Sequence, residues 1–315
     1  MSRVLVIGAL GFCGSHLVDA LKAAGHYVVG VDNESQSVQL AAESAADAIF
    51  QGDARTLWQF IPKGAQYDYM FHCASPAGPA RIAPSYALLP IIEVTKAGLD
   101  FAQRIGARFV KFSTSEVYNR ADVPLTEETP ALVSPRYDAR SEYQIGFLAA
   151  EQLCFTHPHP AVQVLRLFNV TGPRQSASAG VVLPRFCQQA LAGEPLTVFG
   201  DGQQRRAFMD VSDLTAFCLV LMEHWPPSAP KRLWNVANPA NTVTMSCLAQ
   251  SVIRMVGKGA IRRASGQEIA QAYRDGAEKV DISIEKALAL GWVPQMSLTE
   301  IIGRALAWQR ETVQA

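Results

Sequence analysis

Short apolar runs alternate with longer amphipathic stretches through the first half of the chain. The runs near 4–8, 27–32, 48–51, 68–73, 108–114 and 162–168 are apolar at successive positions, as in strands buried on both faces. The stretches between them carry the helical period; after the first run, His16, Leu17, Val18, Leu21 and Lys22 divide into one apolar and one polar face. This alternation predicts an α/β fold, a doubly wound parallel sheet. Beyond residue 170 the pattern changes: Pro173 and the small, polar stretch 175–180 open a region of glycine, proline and short helical pieces. Residues 1–170 are therefore expected to form the sheet domain and 171–315 mainly a smaller C-terminal lobe. Segments near 210–236, namely Leu214–Glu223 and Leu233–Val236, are expected to return to the sheet. No internal repeat or low-complexity tail interrupts this plan.

The junction of the first strand and first helix carries the clearest chemistry. Gly8, Gly11 and Gly14 follow Val4–Ile7 directly. A strand, a glycine turn and a helix N-terminus expose bare N–H groups and the positive end of a helix dipole, a site for a pyrophosphate that a side chain at any of the three glycines would block. The second run, Tyr27–Val31, ends in Asp32, placed to accept both hydroxyls of an adenosine ribose and to repel a 2′-phosphate. The expected cofactor is NAD rather than NADP, on a Rossmann-type domain.

Composition narrows the function classes. With 315 residues and 49% hydrophobic content, the chain can bury a substantial core. Lys and Arg balance Asp and Glu at 28 each, which argues against a nucleic-acid or membrane-surface partner. The six cysteines are scattered with no Cys-x-x-Cys pair, so a metal site is not expected and a reducing, cytoplasmic location is. Leu214–Trp225, the longest apolar stretch, is too short to span a bilayer and fits a buried helix.

Several segments together resemble one family. The Gly-x-x-Gly-x-x-Gly spacing in VLVIGALGFCGSHLVDAL, GDAR at 52–55, FHCAS at 71–75, FSTSEVY at 112–118, YQIGFLAAEQL at 143–153, RLFNVTGPRQ, LTVFGDGQQRRAF and ALGWVP occur in the order found in the extended short-chain dehydrogenase/reductases. That group comprises NAD-dependent sugar-nucleotide epimerases, dehydratases and decarboxylases. The resemblance implies cofactor contacts from Gly8, Gly11, Phe12, Cys13, Gly14, Asp32, Asn33, Asp53, Ala54, Cys73, Ala74 and Ser75. It implies catalytic roles for Tyr143, the base toward a sugar C4 hydroxyl, and for Thr114, Ser115 and Glu116. It makes 171–315 mainly a substrate-binding lobe, with substrate contacts from Asn169, Arg174, Thr197, Phe199 and Arg206 and the Phe199 ring stacking on a base. Asn235 resembles a further family asparagine, and Asp213 the aspartate that caps the following helix. Thr114-Ser115-Glu116 and the segment 75–82 are most similar to the UDP-glucuronate decarboxylases; Ser115 stands where the 4,6-dehydratases have aspartate.

The departures are as informative. Where the family has Tyr-x-x-x-Lys, the fourth residue after Tyr143 is Phe147. The lysine would lower the tyrosine pKa and hold the nicotinamide ribose, and phenylalanine does neither. Tyr137 is followed four residues later by Ser141, which leaves Lys111 or Arg140 as alternative cations. Asn119 replaces a glycine, Thr171 a tyrosine and Glu278-Lys279 an arginine, while 91–98 lacks Asn-x-x-Gly-Thr. Three readings follow: an NAD-dependent lyase of the UDP-glucuronate decarboxylase type or a related dehydratase, a C4 epimerase of a nucleotide sugar or uronic acid, and a non-catalytic NAD(H)- and nucleotide-sugar-binding protein. In relatives the helices near 91–105 and 143–156 pair between subunits, so a homodimer is expected, with Leu99, Phe101, Leu148 and Leu153 supplying apolar surface.

Overall fold

The computed structural model describes all residues except 36, 76–85, 120–122, 134–136, 226–230, 265–279 and 315, and the side chains of 313 and 314. Most of the segment 75–82 and the Glu278-Lys279 pair lie outside the described residues. Six of the predicted strands form as β1 (Arg3–Ile7), β2 (Tyr27–Asp32), β3 (Ala48–Gln51), β4 (Tyr69–His72), β5 (Arg108–Thr114) and β6 (Val162–Leu167). Arg232–Val236 returns as the seventh, giving a parallel sheet ordered Arg232–Val236, β6, β5, β4, β1, β2, β3. From β1 the chain runs outward through β2 and β3, then crosses to β4 on the other side. The order therefore reverses beside β1, and a crevice opens at the carboxyl ends of the strands there.

The strand sequences are apolar on both faces because both are covered. Val4 and Val6 join one apolar cluster with Leu17, Val18, Leu165 and Phe217, while Leu5 and Ile7 join another with Leu99, Phe101 and Phe109. The first helix, Phe12–Ala23, buries Leu17, Val18 and Leu21, and Val211–Glu223 lies in the same layer. Helices Leu88–Ile105 and Ala139–Thr156 cover the opposite face. A third cluster, built around Leu183, Phe186, Leu196, Val198, Leu248, Ile301 and Leu306, forms the core of the C-terminal lobe. Two-stranded pairs join Leu196–Phe199 to Ile261–Ala264 and Arg205–Ala207 to Thr242–Thr244 there. The chain then comes back once more: Leu125 bridges Ile282, and Trp292 packs on Phe217.

Under the helix Ala139–Thr156 the sheet is unexpectedly polar. Ser113 donates to Glu151 at 2.6 Å, and Arg166 holds the same carboxylate through Nε and Nη2 at 3.0 and 2.6 Å. This pair is almost solvent-free, so its desolvation cost must be offset by hydrogen bonds on both partners. Asn235 belongs to this interior: it accepts from Tyr118 at 2.6 Å and donates to Leu125 and Ser283 carbonyls. Its role is to join segments rather than to line an open site.

Two sequence expectations need correction. Asp210, not Asp213, caps Val211–Glu223, accepting from the Ser212 amide; Asp213 sits inside the first turn and accepts the amides of Gln295 and Met296. Leu99 and Phe101 are buried against their own sheet, because their positions on the helix face inward; Leu148 and Leu153 are half-buried. The large apolar side chains those helices leave exposed are Leu89, Ile145 and Phe155.

Candidate active site

A cleft of about 450 Å³ opens at the switch in strand order. Its wall includes Gly8, Gly11, Phe12, Cys13, Gly14, Asp32, Asn33, Asp53, Ala54, Cys73, Ala74 and Ser75, so the structure brings all of these sequence-identified residues together. The three glycines divide by cause. A Cβ on Gly8 would lie 2.8 Å from the Ala74 nitrogen and φ there is +81°, while one on Gly14 would lie 1.9 Å from the Gly8 oxygen. The fold itself requires both. A Cβ on Gly11 would meet no protein atom closer than 3.4 Å, so the fold itself does not forbid a side chain there.

The cleft fits a dinucleotide. No side chain caps the helix Phe12–Ala23, which leaves its first amides to meet an anion. Asp32, at the end of β2, accepts from the amides of Leu10 and Glu34 at 2.9 and 2.7 Å, and those bonds fix its carboxylate in the cleft wall. Asp53 caps the next turn by accepting from the Arg55 amide, and the Arg55 guanidinium holds its carboxyl below the usual range. Pro90, Ile91 and Val94 complete the opposite wall. No glycine motif marks them in the sequence; their signal is only the helical period of the segment that carries them.

The catalytic candidates converge where β5 ends. Thr114 closes the strand and caps the short turn Ser115–Val117, accepting from the Glu116 amide at 3.2 Å. Tyr143 approaches from Ala139–Thr156, and the Thr114 side chain lies near enough to favour its ionised phenol. Ser115 is buried in the turn. Glu116 faces Arg140, one helical turn before Tyr143, whose Nε and Nη2 donate to Glu116 Oε2 at 2.9 and 2.7 Å. Tyr143 is largely buried, and burial followed by the Glu116 charge pushes its phenol above the ordinary value; Thr114 and Arg140 oppose this. Cys13, from the glycine turn, is near enough to influence the same phenol, so the cluster borders the cleft. Phe147 is buried with its ring edge-on to Tyr143, centroids 4.8 Å apart.

The substrate candidates are more dispersed. Thr197 is held by Gln189, which donates to its hydroxyl at 3.1 Å and accepts its amide at 3.0 Å, and Arg262 donates to the same hydroxyl. Arg185 lies 4.7 Å above the Phe199 ring, a guanidinium the sequence reading did not anticipate. Asn169 donates to the Ala207 carbonyl beside Arg206, and Arg206 is turned onto the Arg205 carbonyl. Arg174 forms an ion pair with Asp19 of the first helix at 2.6 Å, which ties the lobe to the glycine-loop helix. Of the replaced family positions, Asn119 takes a left-handed φ of +42°, a conformation asparagine tolerates in a glycine's place. Thr171 is buried and donates to Gln175 at 2.6 Å.

Among the described residues no cluster suited to a metal ion occurs, and no helix is long and apolar enough to cross a membrane. All six cysteines are free thiols, and Cys154, Cys187 and Cys218 are buried.

Residues 4–237 match the family model for the NAD dependent epimerase/dehydratase family. UDP-glucuronic acid decarboxylase 1 of Xenopus tropicalis is 33% identical over 99% of this chain and 73% of its own length. UDP-glucuronic acid decarboxylase 6 of Arabidopsis thaliana is 34% identical over 95% of the chain and 86% of its own. Among solved structures, UDP-glucuronic acid 4-epimerase from Bacillus cereus in complex with UDP-glucuronic acid and NAD superposes with a TM-score of 0.81 at 24% identity, over 98% of this chain and 99% of that one.

Proposed function

This chain belongs to the NAD dependent epimerase/dehydratase family, and from that premise we propose that it decarboxylates a UDP-uronic acid by way of a transient C4 ketone. The observation that carries the reading is the Glu116–Arg140 pair beside Tyr143 and Thr114, next to the cleft. A hydroxyl to be oxidised needs a proton acceptor, which Tyr143 supplies with Thr114 donating to or accepting from the same oxygen. NAD, when bound, provides a reversible hydride acceptor, and Asp32, the uncapped helix N-terminus and the Gly11 backbone would hold it. A uronate carboxylate calls for a planar cation, and Arg140 presents one alongside a carboxylate able to carry a proton. Ser115, in place of an acid, offers nothing to protonate a departing hydroxide, which disfavours dehydration. The decarboxylases among the relatives support the choice of reaction.

In the lobe, Thr197 and Phe199 with Arg185 are assigned to the nucleotide base, and Asn169 and Arg206 to the diphosphate side. The test is incubation with NAD and a panel of UDP- and dTDP-sugars, with products resolved by mass. Release of carbon dioxide from UDP-glucuronate is the expected result. An isomer of unchanged mass would replace the reading with epimerisation, loss of water with dehydration, and binding without product with a non-catalytic role. A homodimer through the exposed Leu89, Ile145 and Phe155 completes the proposal; a monomer mass by light scattering would remove that part.

A further inference from the structure

Lys111 is the unusual charge in this protein. It lies on β5, is buried, and its ammonium donates to His72 Nδ1 at 3.2 Å. Among the described residues no ion pair involves it. Its Nζ stands 5.3 Å from the centroid of the Phe147 ring, within the range of a cation–π contact. The same ring meets Tyr143 edge-on at 4.8 Å. A cation, a phenyl ring and the site tyrosine thus form one contiguous stack from the sheet to the cleft border.

We propose that Lys111 is the positioning residue that supplies the missing cation to Tyr143, acting from strand β5 through the face of the Phe147 ring. The inference rests on the reading of Tyr143 as proton acceptor. The helix position that would carry a lysine four residues after the tyrosine carries Phe147, and the ammonium that lies against this ring comes from the strand beneath. Of the titratable groups that face it, His72, Cys73 and Cys154 are neutral at neutral pH, and Glu151, which acts on Cys154 beside Lys111, is neutralised by its ion pair with Arg166. His72, from β4, is held well below its usual pKa by burial and by Lys111, and its Nε2 donates to the Val94 carbonyl of the neighbouring helix. Cys73, just past the end of β4, and Cys154, from Ala139–Thr156, are pushed up by burial, Cys154 to about 12, and stay neutral thiols. Burial lowers Lys111 itself to about 8, so it remains mostly charged at neutral pH. A charge about 10 Å away at an effective dielectric near 20 displaces a phenol's ionisation by about one pH unit.

Two measurements on NAD-loaded protein test this. The first replaces Tyr143 with 2,3,5,6-tetrafluorotyrosine, whose much lower intrinsic pKa brings its ionisation into the range below pH 8 where Lys111 is still charged, and follows it by fluorine NMR in Lys111 and Lys111→Met backgrounds. Lys111→Met should raise that ionisation by about one pH unit, and it should lower NADH formation about tenfold below pH 8, where Lys111 is charged. The difference should fade above that pH. The second is the exchanged pair Lys111→Met/Phe147→Lys, which returns one ammonium to the stack. It should recover the ionisation and melt at a higher temperature than Phe147→Lys alone, in which two ammonium groups meet. A folded Lys111→Met with unmoved Tyr143 ionisation overturns the proposal. Should Lys111→Met fail to fold, an exchanged pair melting no higher than Phe147→Lys overturns it too. Because the NMR readout needs no turnover, an ionisation shift without product would refute the proposed reaction and leave this role standing.

Discussion

The cofactor cleft and the C-terminal lobe are built to different rules. In the cleft, most ligand-facing groups are backbone or carboxylate fixed by backbone: Gly8 and Gly14 have no room for a side chain, and Asp32 is tied by two amides. In the lobe, the candidate contacts are side chains held by other side chains, as Gln189 and Arg262 hold Thr197 and Arg185 covers Phe199. Backbone-defined sites are set by the fold and admit few substitutions. Side-chain-defined sites can change partner without disturbing the core, which is where a family can vary its substrate.

That contrast can be broken at several points. The largest effect is expected at the border between the halves: Tyr143→Phe should lower hydride transfer by about 10²–10⁴-fold while leaving NAD affinity near wild type, measured by single-turnover NADH formation and calorimetry. The proton must leave Tyr143, whose pKa is raised, so the wild-type rate should climb through neutral pH and on into the alkaline range instead of reaching a plateau near pH 7. An unchanged rate in Tyr143→Phe with a dead Glu116→Gln would move the base to Glu116. Next in size, Gly14→Ala should destabilise the fold by roughly 2–3 kcal/mol because its Cβ collides with the Gly8 oxygen, whereas Gly11→Ala should melt like wild type and lose NAD affinity. Equal melting temperatures for the two would erase the distinction drawn between those glycines.

The cleft was legible in the sequence for a physical reason. A glycine turn, a following helix and an acid at the next strand's end are local features, and local features survive translation into structure. All twelve cofactor candidates line one cleft. The polar layer under the sheet was not legible, because Ser113, Glu151, Arg166, Tyr118 and Asn235 lie far apart in the chain and carry no pattern that announces a contact. Arg174 shows the same limit from the other side: a motif position pointed to substrate, but the described side chain pairs with Asp19, 155 residues away. The inward turn of Leu99 and Phe101 could not be fixed either, since an apolar helix face reads alike whether it meets a sheet or another subunit.

Smaller effects sharpen the comparison. Asp32→Ala should weaken NAD about 10–100-fold, the scale of hydrogen bonds to a charged acceptor, and narrow the preference over NADP; tight NADP binding by the wild type would contradict the assignment. Phe199→Ala should raise the KM for the nucleotide sugar about tenfold, as loss of one base-stacking face does, without changing NAD affinity. A loss of NAD affinity there would mean that the lobe and the cleft are not separable.

The most direct test of the whole account is stopped-flow absorbance of NAD-loaded protein mixed with UDP-glucuronate, read at the reduced-nicotinamide band while carbon dioxide is trapped and counted. The account predicts a transient rise of NADH that decays as carbon dioxide appears, and its loss in Tyr143→Phe. Tight binding of both NAD and UDP-glucuronate with no NADH transient and no carbon dioxide would contradict it.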